Sequence, residues 1–120
     1  VVDDEPHLRT LAAEWVGQLG YQVTTLPSAD AARRLMETEV FDMLVTDIVM
    51  PGELDGLGLA VWAQARYPAL RIMLATGYSD RLGSGSLPWP LLEKPYRKAD
   101  LARLLDAAVR SRAGSEAQNV

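Results

Sequence analysis

No cysteine occurs among the 120 residues. A disulfide framework and a thiolate metal site are both excluded, which suits a reducing, cytoplasmic compartment. No apolar run approaches the length of a membrane span, and no signal peptide is visible. With 12 Lys plus Arg against 16 Asp plus Glu, the net charge is −4. No basic cluster is dense enough to track a nucleic-acid backbone. The chain lacks an initiator Met and begins inside what reads as a strand, so the expectation is a first strand truncated at its start.

What remains is ordinary for a globular chain, with 48% hydrophobic and 23% charged residues and a length that supports one core. Short β-branched or apolar runs at residues 1–3, 21–26, 43–47, 72–76 and 89–93 alternate with amphipathic stretches. That alternation predicts repeated βα units around a parallel five-stranded sheet. Helical spacing joins Leu8, Leu11, Ala12, Trp15 and Leu19, then Leu57, Ala60, Val61 and Ala65, then Leu101, Leu104, Leu105 and Ala108. Each stripe is expected to face the sheet. Ser28 is a good N-cap for a further helix carrying Ala32, Leu35 and Met36 inward. Gly, Ser and Pro crowd residues 79–90, where a fourth helix belongs, so that helix should be short or absent and the segment mobile. The domain is expected to span residues 1–110, with residues 111–120, SRAGSEAQNV, as a flexible tail or linker because nothing in them can be buried.

The opening VVDDEP runs two apolar β-branched residues straight into three acids. Like charges about 5 Å apart repel by about 3 kcal/mol at an effective dielectric near 20. In an open parallel sheet, ligands bind beyond the carboxyl ends of the strands. Asp3 and Asp4 close the first run, Asp47 the third and Thr76 the fourth, and Lys94 comes directly after the fifth. All five converge on one edge, where a hard cation such as Mg2+ would relieve the repulsion. A lone Asp at a strand end is usually a turn residue or cap. Here the placement repeats on strand after strand, and Pro95 stiffens the chain after Lys94.

VVDDE, LVTDIVMPG, LATGY and LLEKPY, in this order and spacing, resemble the response regulator receiver domain of two-component signalling, over residues 1–110. The resemblance implies a flavodoxin-like, doubly wound sheet of order 2-1-3-4-5, a strand order for which receivers themselves serve as a reference example. It implies Asp47 as phosphate acceptor, Asp4 touching Mg2+ directly, Asp3 touching it through water, and the Val49 carbonyl as a further ligand. Thr76 and Lys94 are implied to contact phosphoryl oxygens. The implied donor is a phosphohistidine on a histidine kinase or histidine phosphotransfer protein, with a homodimer as a further partner the resemblance allows. A signalling module that catalyses its own phosphorylation and dephosphorylation is expected, rather than an enzyme with a small substrate.

Two departures matter. MPGELDG is one residue longer than the common MPG-x-DG, and with TGY it resembles receivers of hybrid sensor histidine kinases or single-domain regulators. Leu91 stands where the family often has a switching Tyr or Phe, so phosphorylation is expected mainly to reorder the loop after Thr76. The nearby aromatics Trp89 and Tyr96 are read first as packing, with partial substitution for that switch as the lesser alternative. His7, Arg33, Arg34, Arg110 and Arg112 are read as bystanders, and Trp15, Trp62 and the methionines as packing. Two rival classes stand beside this reading. A haloacid-dehalogenase-like phosphatase would need a second Asp where Val49 stands, and a degenerate receiver would not need the full polar set.

Overall fold

The computed structural model describes residues 1–50, 52–77 and 88–118, with residues 110–118 by backbone only. Three apolar runs form the sheet: β1 (Met43–Asp47), β2 (Arg71–Thr76) and β3 (Leu91–Glu93). They are parallel and lie in the order β1-β2-β3. Four helices are described: α1 (Pro6–Gln18), α2 (Ala29–Met36), α3 (Gly56–Arg66) and α4 (Lys98–Gln118).

The predicted five strands are therefore three among the described residues. The other two segments join the sheet by single parallel bridges, Val2 to Thr46 and Val2 to Leu26. The Val2 N–H donates to the Val45 carbonyl at 2.8 Å and the Asp47 N–H to the Val2 carbonyl at 3.0 Å. On the far side Asp3 N–H donates to the Leu26 carbonyl at 3.1 Å, and Leu26 N–H to the Val1 carbonyl at 3.0 Å. A strand needs a partner along its length, and residues 1–3 offer residues 21–26 one only at their last position.

Alternation along the strands sends side chains to two apolar layers. Leu44, Ile72, Leu74 and Leu91 face a cluster completed by Ala29, Ala32 and Met36 of α2 and Leu59, Ala60 and Ala63 of α3. Val45, Met73 and Leu92 face the other, with Val16 of α1 and Leu101 and Leu105 of α4. Both faces of the sheet are covered, which is why its strands read as continuous apolar runs.

The helices start where side chains can cap them. Ser28 accepts the Ala31 N–H at 3.1 Å, and Asp55 accepts the Gly58 N–H at 2.8 Å. Two of the predicted stripes are rotated. In α1 the buried residues are Ala12 and Val16, while Leu11 and Leu19 are exposed. In α3 they are Gly56, Leu59, Ala60 and Ala63, while Val61 and Ala65 face solvent. α3 is apolar nearly all round, so spacing alone does not select a face, and the smallest residues turn toward the sheet where backbones approach closely. The α4 stripe lies as expected, with Leu101 and Leu105 buried. α4 continues to Gln118 rather than giving way to an irregular tail after residue 110. Ala113, Glu116, Ala117 and Gln118 are good helix formers, and missing apolar periodicity argues against burial, not against a helix. Residues 78–87, on which the expectation of a short fourth helix falls, lie outside the described residues.

Candidate functional site

Because the strands are parallel, their carboxyl ends share one edge. Asp47 is the last residue of β1 and Thr76 the last of β2, Lys94 comes directly after β3, and Asp3 after the bridged Val2. Backbone bonds hold these ends together: Ile48 N–H donates to the Ala75 carbonyl at 2.9 Å and Lys94 N–H to the Thr76 carbonyl at 2.8 Å. Asp3, Asp47 and Thr76 are only 3%, 6% and 1% exposed, so polar groups are carried into an apolar surround. Asp4 is exposed.

The Lys94 ammonium donates to Asp47 Oδ2 at 2.6 Å and lies 3.5 Å from Asp3 Oδ2. Asp3 is fixed further by the Glu5 N–H, which donates to its Oδ1 at 2.9 Å, and by Arg9, whose guanidinium donates to its carbonyl at 2.8 Å. Asp4 has no hydrogen-bond or ion-pair partner among the described residues. One carboxylate oxygen from each of Asp3, Asp4 and Asp47 lies within 4.8 Å of the others. Three carboxylates against one ammonium leave excess negative charge on an all-oxygen donor set, which fits a hard divalent cation. Val49, two residues beyond Asp47, turns its side chain to solvent, 58% exposed.

The electrostatics result from that crowding. Burial pushes the Asp47 carboxyl up from 3.8 to about 6, the Lys94 hydrogen bond opposes this, and the Asp3 charge adds to it. Burial pulls Lys94 down, but the bond to Asp47 and the charges of Asp47 and Asp3 outweigh it and raise the ammonium above 10.5. Burial, with the charges of Asp3 and Asp47, raises the Tyr96 phenol from 10.0 to about 12. The Thr76 hydroxyl donates to the Gly77 carbonyl at 3.1 Å.

All five polar residues read from the sequence thus meet at one edge. Two contributors, Gly56 and Arg9, were not read from it. Gly56 sits so close to Asp47 that a Cβ there would overlap the Asp47 carbonyl oxygen, and its N–H donates to the Ile48 carbonyl at 2.8 Å. The sequence Asp55-Gly56 at the start of an apolar helix carried that signal. Arg9 had no local pattern to betray it. Arg33 is an exposed helix-surface charge, its guanidinium 5.6 Å from the Trp62 ring centroid. The His7 main-chain N–H donates to the Glu5 carboxylate at the start of α1, and the residue is exposed. A cavity of about 740 Å³ opens at the opposite edge, by Met43 and Arg71 where β1 and β2 begin, away from this chemistry.

The response regulator receiver protein CpdR of Brucella abortus is 31% identical over 110 residues, covering 88% of this chain and 91% of that protein. The DNA-binding transcriptional regulator NtrC of Klebsiella pneumoniae is 29% identical over 113 residues, a match that spans 91% of this chain but 24% of NtrC. Among solved structures, a response regulator receiver protein from Sinorhizobium medicae WSM419 superposes with a TM-score of 0.81 at 26% identity, over 92% of each chain. The receiver domain of NtrX from Brucella abortus gives 0.78 at 25% identity, over 91% of this chain and 95% of that one. The family model of the response regulator receiver domain matches residues 1–84, which include the acidic pair, Asp47 and Thr76. By that match and by its likeness to CpdR, the chain belongs to the response regulator receiver domain family.

Proposed function

We propose that this receiver takes a phosphoryl group onto Asp47 from a phosphohistidine of a histidine kinase or phosphotransfer protein, and that the modification alters its surface for a signalling partner. The observation that carries the reading is Asp47 itself. It is a buried carboxylate at the end of β1, with Lys94 at 2.6 Å and two more carboxylates within 4.8 Å.

Asp3, Asp4, Asp47 and the Val49 main-chain carbonyl would hold Mg2+, Asp4 directly and Asp3 through water. When bound, the ion supplies positive charge against the phosphoryl oxygens. Asp3 already spends its oxygens on Glu5 and Lys94, whereas Asp4 is exposed, which favours that division. An Asp47 oxygen attacks phosphorus, the new O–P bond forms as the N–P bond to the donor imidazole breaks, and that nitrogen keeps the electron pair. Transfer of this kind asks for positioning and charge more than for covalent help. Lys94 moves from the Asp47 carboxylate to a phosphoryl oxygen, and the Thr76 hydroxyl turns from the Gly77 carbonyl to another. Hydrolysis of the acyl phosphate by water returns Asp47. The exposed hydrocarbon of Val49, where a dehalogenase-type phosphatase needs an acid, favours transfer over turnover of a small substrate. The receiver unit is taken as residues 1–110, built on the order 2-1-3-4-5 when the bridged segments are counted as strands, and residues 111–120 as a connection beyond it.

Intact-mass measurement tests this. With acetyl phosphate and Mg2+ the chain should gain one phosphoryl group, and Asp47→Asn should gain none. An unchanged gain in that variant would overturn the assignment.

A further inference from the structure

Tyr96 stands two residues beyond Lys94, joined to it through Pro95. Its ring packs into the layer formed by Met73, Leu92 and Leu101. It meets Trp15 of α1 edge to face, with centroids 6.1 Å apart and planes at 64°. Nearby, the Lys98 ammonium donates to Gln18 Oε1 at 2.6 Å, a second tie between the start of α4 and the end of α1. The phenol feels the pocket as well, since the charges of Asp3 and Asp47 both help to raise its pKa. The other nearby aromatic is placed differently. Trp89 lies with Leu91 on the opposite layer, and its indole N–H donates to Gln64 of α3 at 3.0 Å.

We propose that the Tyr96–Trp15 contact is the device by which the state of the Asp47 pocket reaches the face built from α1 and the first turn of α4. This rests on the phosphoacceptor reading above. Lys94 is bonded to Asp47 before transfer and must reach outward to a phosphoryl oxygen after it. Proline fixes its own φ, so backbone rotation at Lys94 is passed on rather than absorbed at residue 95. Tyr96 then shifts against an indole that is itself held on α1. The expectation that phosphorylation mainly reorders the loop after Thr76 is thereby widened: the layer shared by α1 and α4 responds, and the opposite layer, which holds Leu91, does not.

Indole N–H resonances of the 15N-labelled chain separate Trp15, Trp62 and Trp89 once each is assigned by its Phe variant. Forming the beryllofluoride adduct with Mg2+ should move the Trp15 signal by several line widths and leave Trp62 in place. Tyr96→Phe keeps the ring and should keep the response, whereas Tyr96→Leu should abolish it while the Asp47 amide still shifts. A shifted Asp47 amide with an unmoved Trp15 would overturn this inference alone. A Trp15 response that survives in Tyr96→Leu would overturn it too, by showing that the signal travels another route. No change at Asp47 under saturating beryllofluoride would overturn the phosphoacceptor reading and this inference with it.

Discussion

Withdrawing the metal and raising the pH from 4 to 7 should weaken the fold through one residue. Asp47 is 6% exposed, and its carboxyl titrates at about 6 in the folded chain against an ordinary 3.8. Between those values the folded state keeps a proton that the unfolded state has released. Raising the pH through that window therefore favours unfolding, and the loss is complete above about 6. At about 1.4 kcal/mol per pKa unit the separation corresponds to about 3 kcal/mol, an upper figure because Lys94 and water near exposed Asp4 relax to accommodate the charge. Lys94 does not confuse the window, because its pKa is raised above 10.5 and its contribution is lost only in strong alkali. Mg2+ held as proposed would bind the ionised pocket of the folded state, so the stabilisation it gives should grow from pH 4 to 6 and then level off. Urea unfolding with and without Mg2+ measures this, and the 13C shift of the Asp47 carboxyl measures the titration directly. In Asp47→Asn the slope should vanish, and the metal-free fold should be the more stable at pH 7. A metal-free Asp47 that titrates at or below 3.8, or a Mg2+ effect equal at pH 4.5 and pH 7, would refute the reasoning.

Gly56→Ala drives a methyl into the Asp47 carbonyl oxygen, an overlap that only backbone displacement can relieve. It should cost more than about 3 kcal/mol in chemical denaturation. Gly17→Ala, in α1 with nothing within 4 Å of the new Cβ, should instead stabilise by about 0.5 kcal/mol. For the metal, Asp4→Asn should weaken Mg2+ binding more than Asp3→Asn, read by NMR titration, and the reverse order would exchange their direct and water-mediated roles.

The site was more legible than the fold that holds it. Asp3, Asp4, Asp47, Thr76 and Lys94 could be read because parallel strands deliver whatever ends them to one edge, a rule that needs no side-chain detail. β1 was bounded correctly for a related reason: a run buried on both faces is apolar throughout and ends abruptly at Asp47. The faces of α1 and α3 were harder, since Leu11 and Val61 fit a helical stripe as well as Val16 and Leu59 do, and only the tertiary fit of small against large residues chose between them. Continuation of α4 past residue 110 was missed because amphipathic spacing detects burial rather than helicity. Long-range partners such as Arg9 on the Asp3 carbonyl and Tyr96 on Trp15 left no mark in local spacing at all.

The hydrogen bonds at the sheet edge limit how this receiver can respond. Asp47 N–H is held by Val2, Ile48 N–H by Ala75 and Lys94 N–H by Thr76, so moving any strand end breaks a buried backbone bond, at a cost comparable to leaving that group unpaired. Side-chain torsions cost far less. On phosphorylation as proposed, the Thr76 hydroxyl would exchange one acceptor for another in leaving the Gly77 carbonyl, and the Lys94 ammonium would exchange one anionic oxygen for another. Neither step would leave the hydroxyl or the ammonium without an acceptor. On that reading the response begins in those two side chains and spreads through the residues next to them in the chain. After Lys94 these are Pro95 and Tyr96, whose ring packs on Trp15 in the layer it shares with Leu101 of α4. A substitution at Tyr96 that leaves phosphorylation intact yet uncouples α1 from it would separate the chemistry of this edge from its readout.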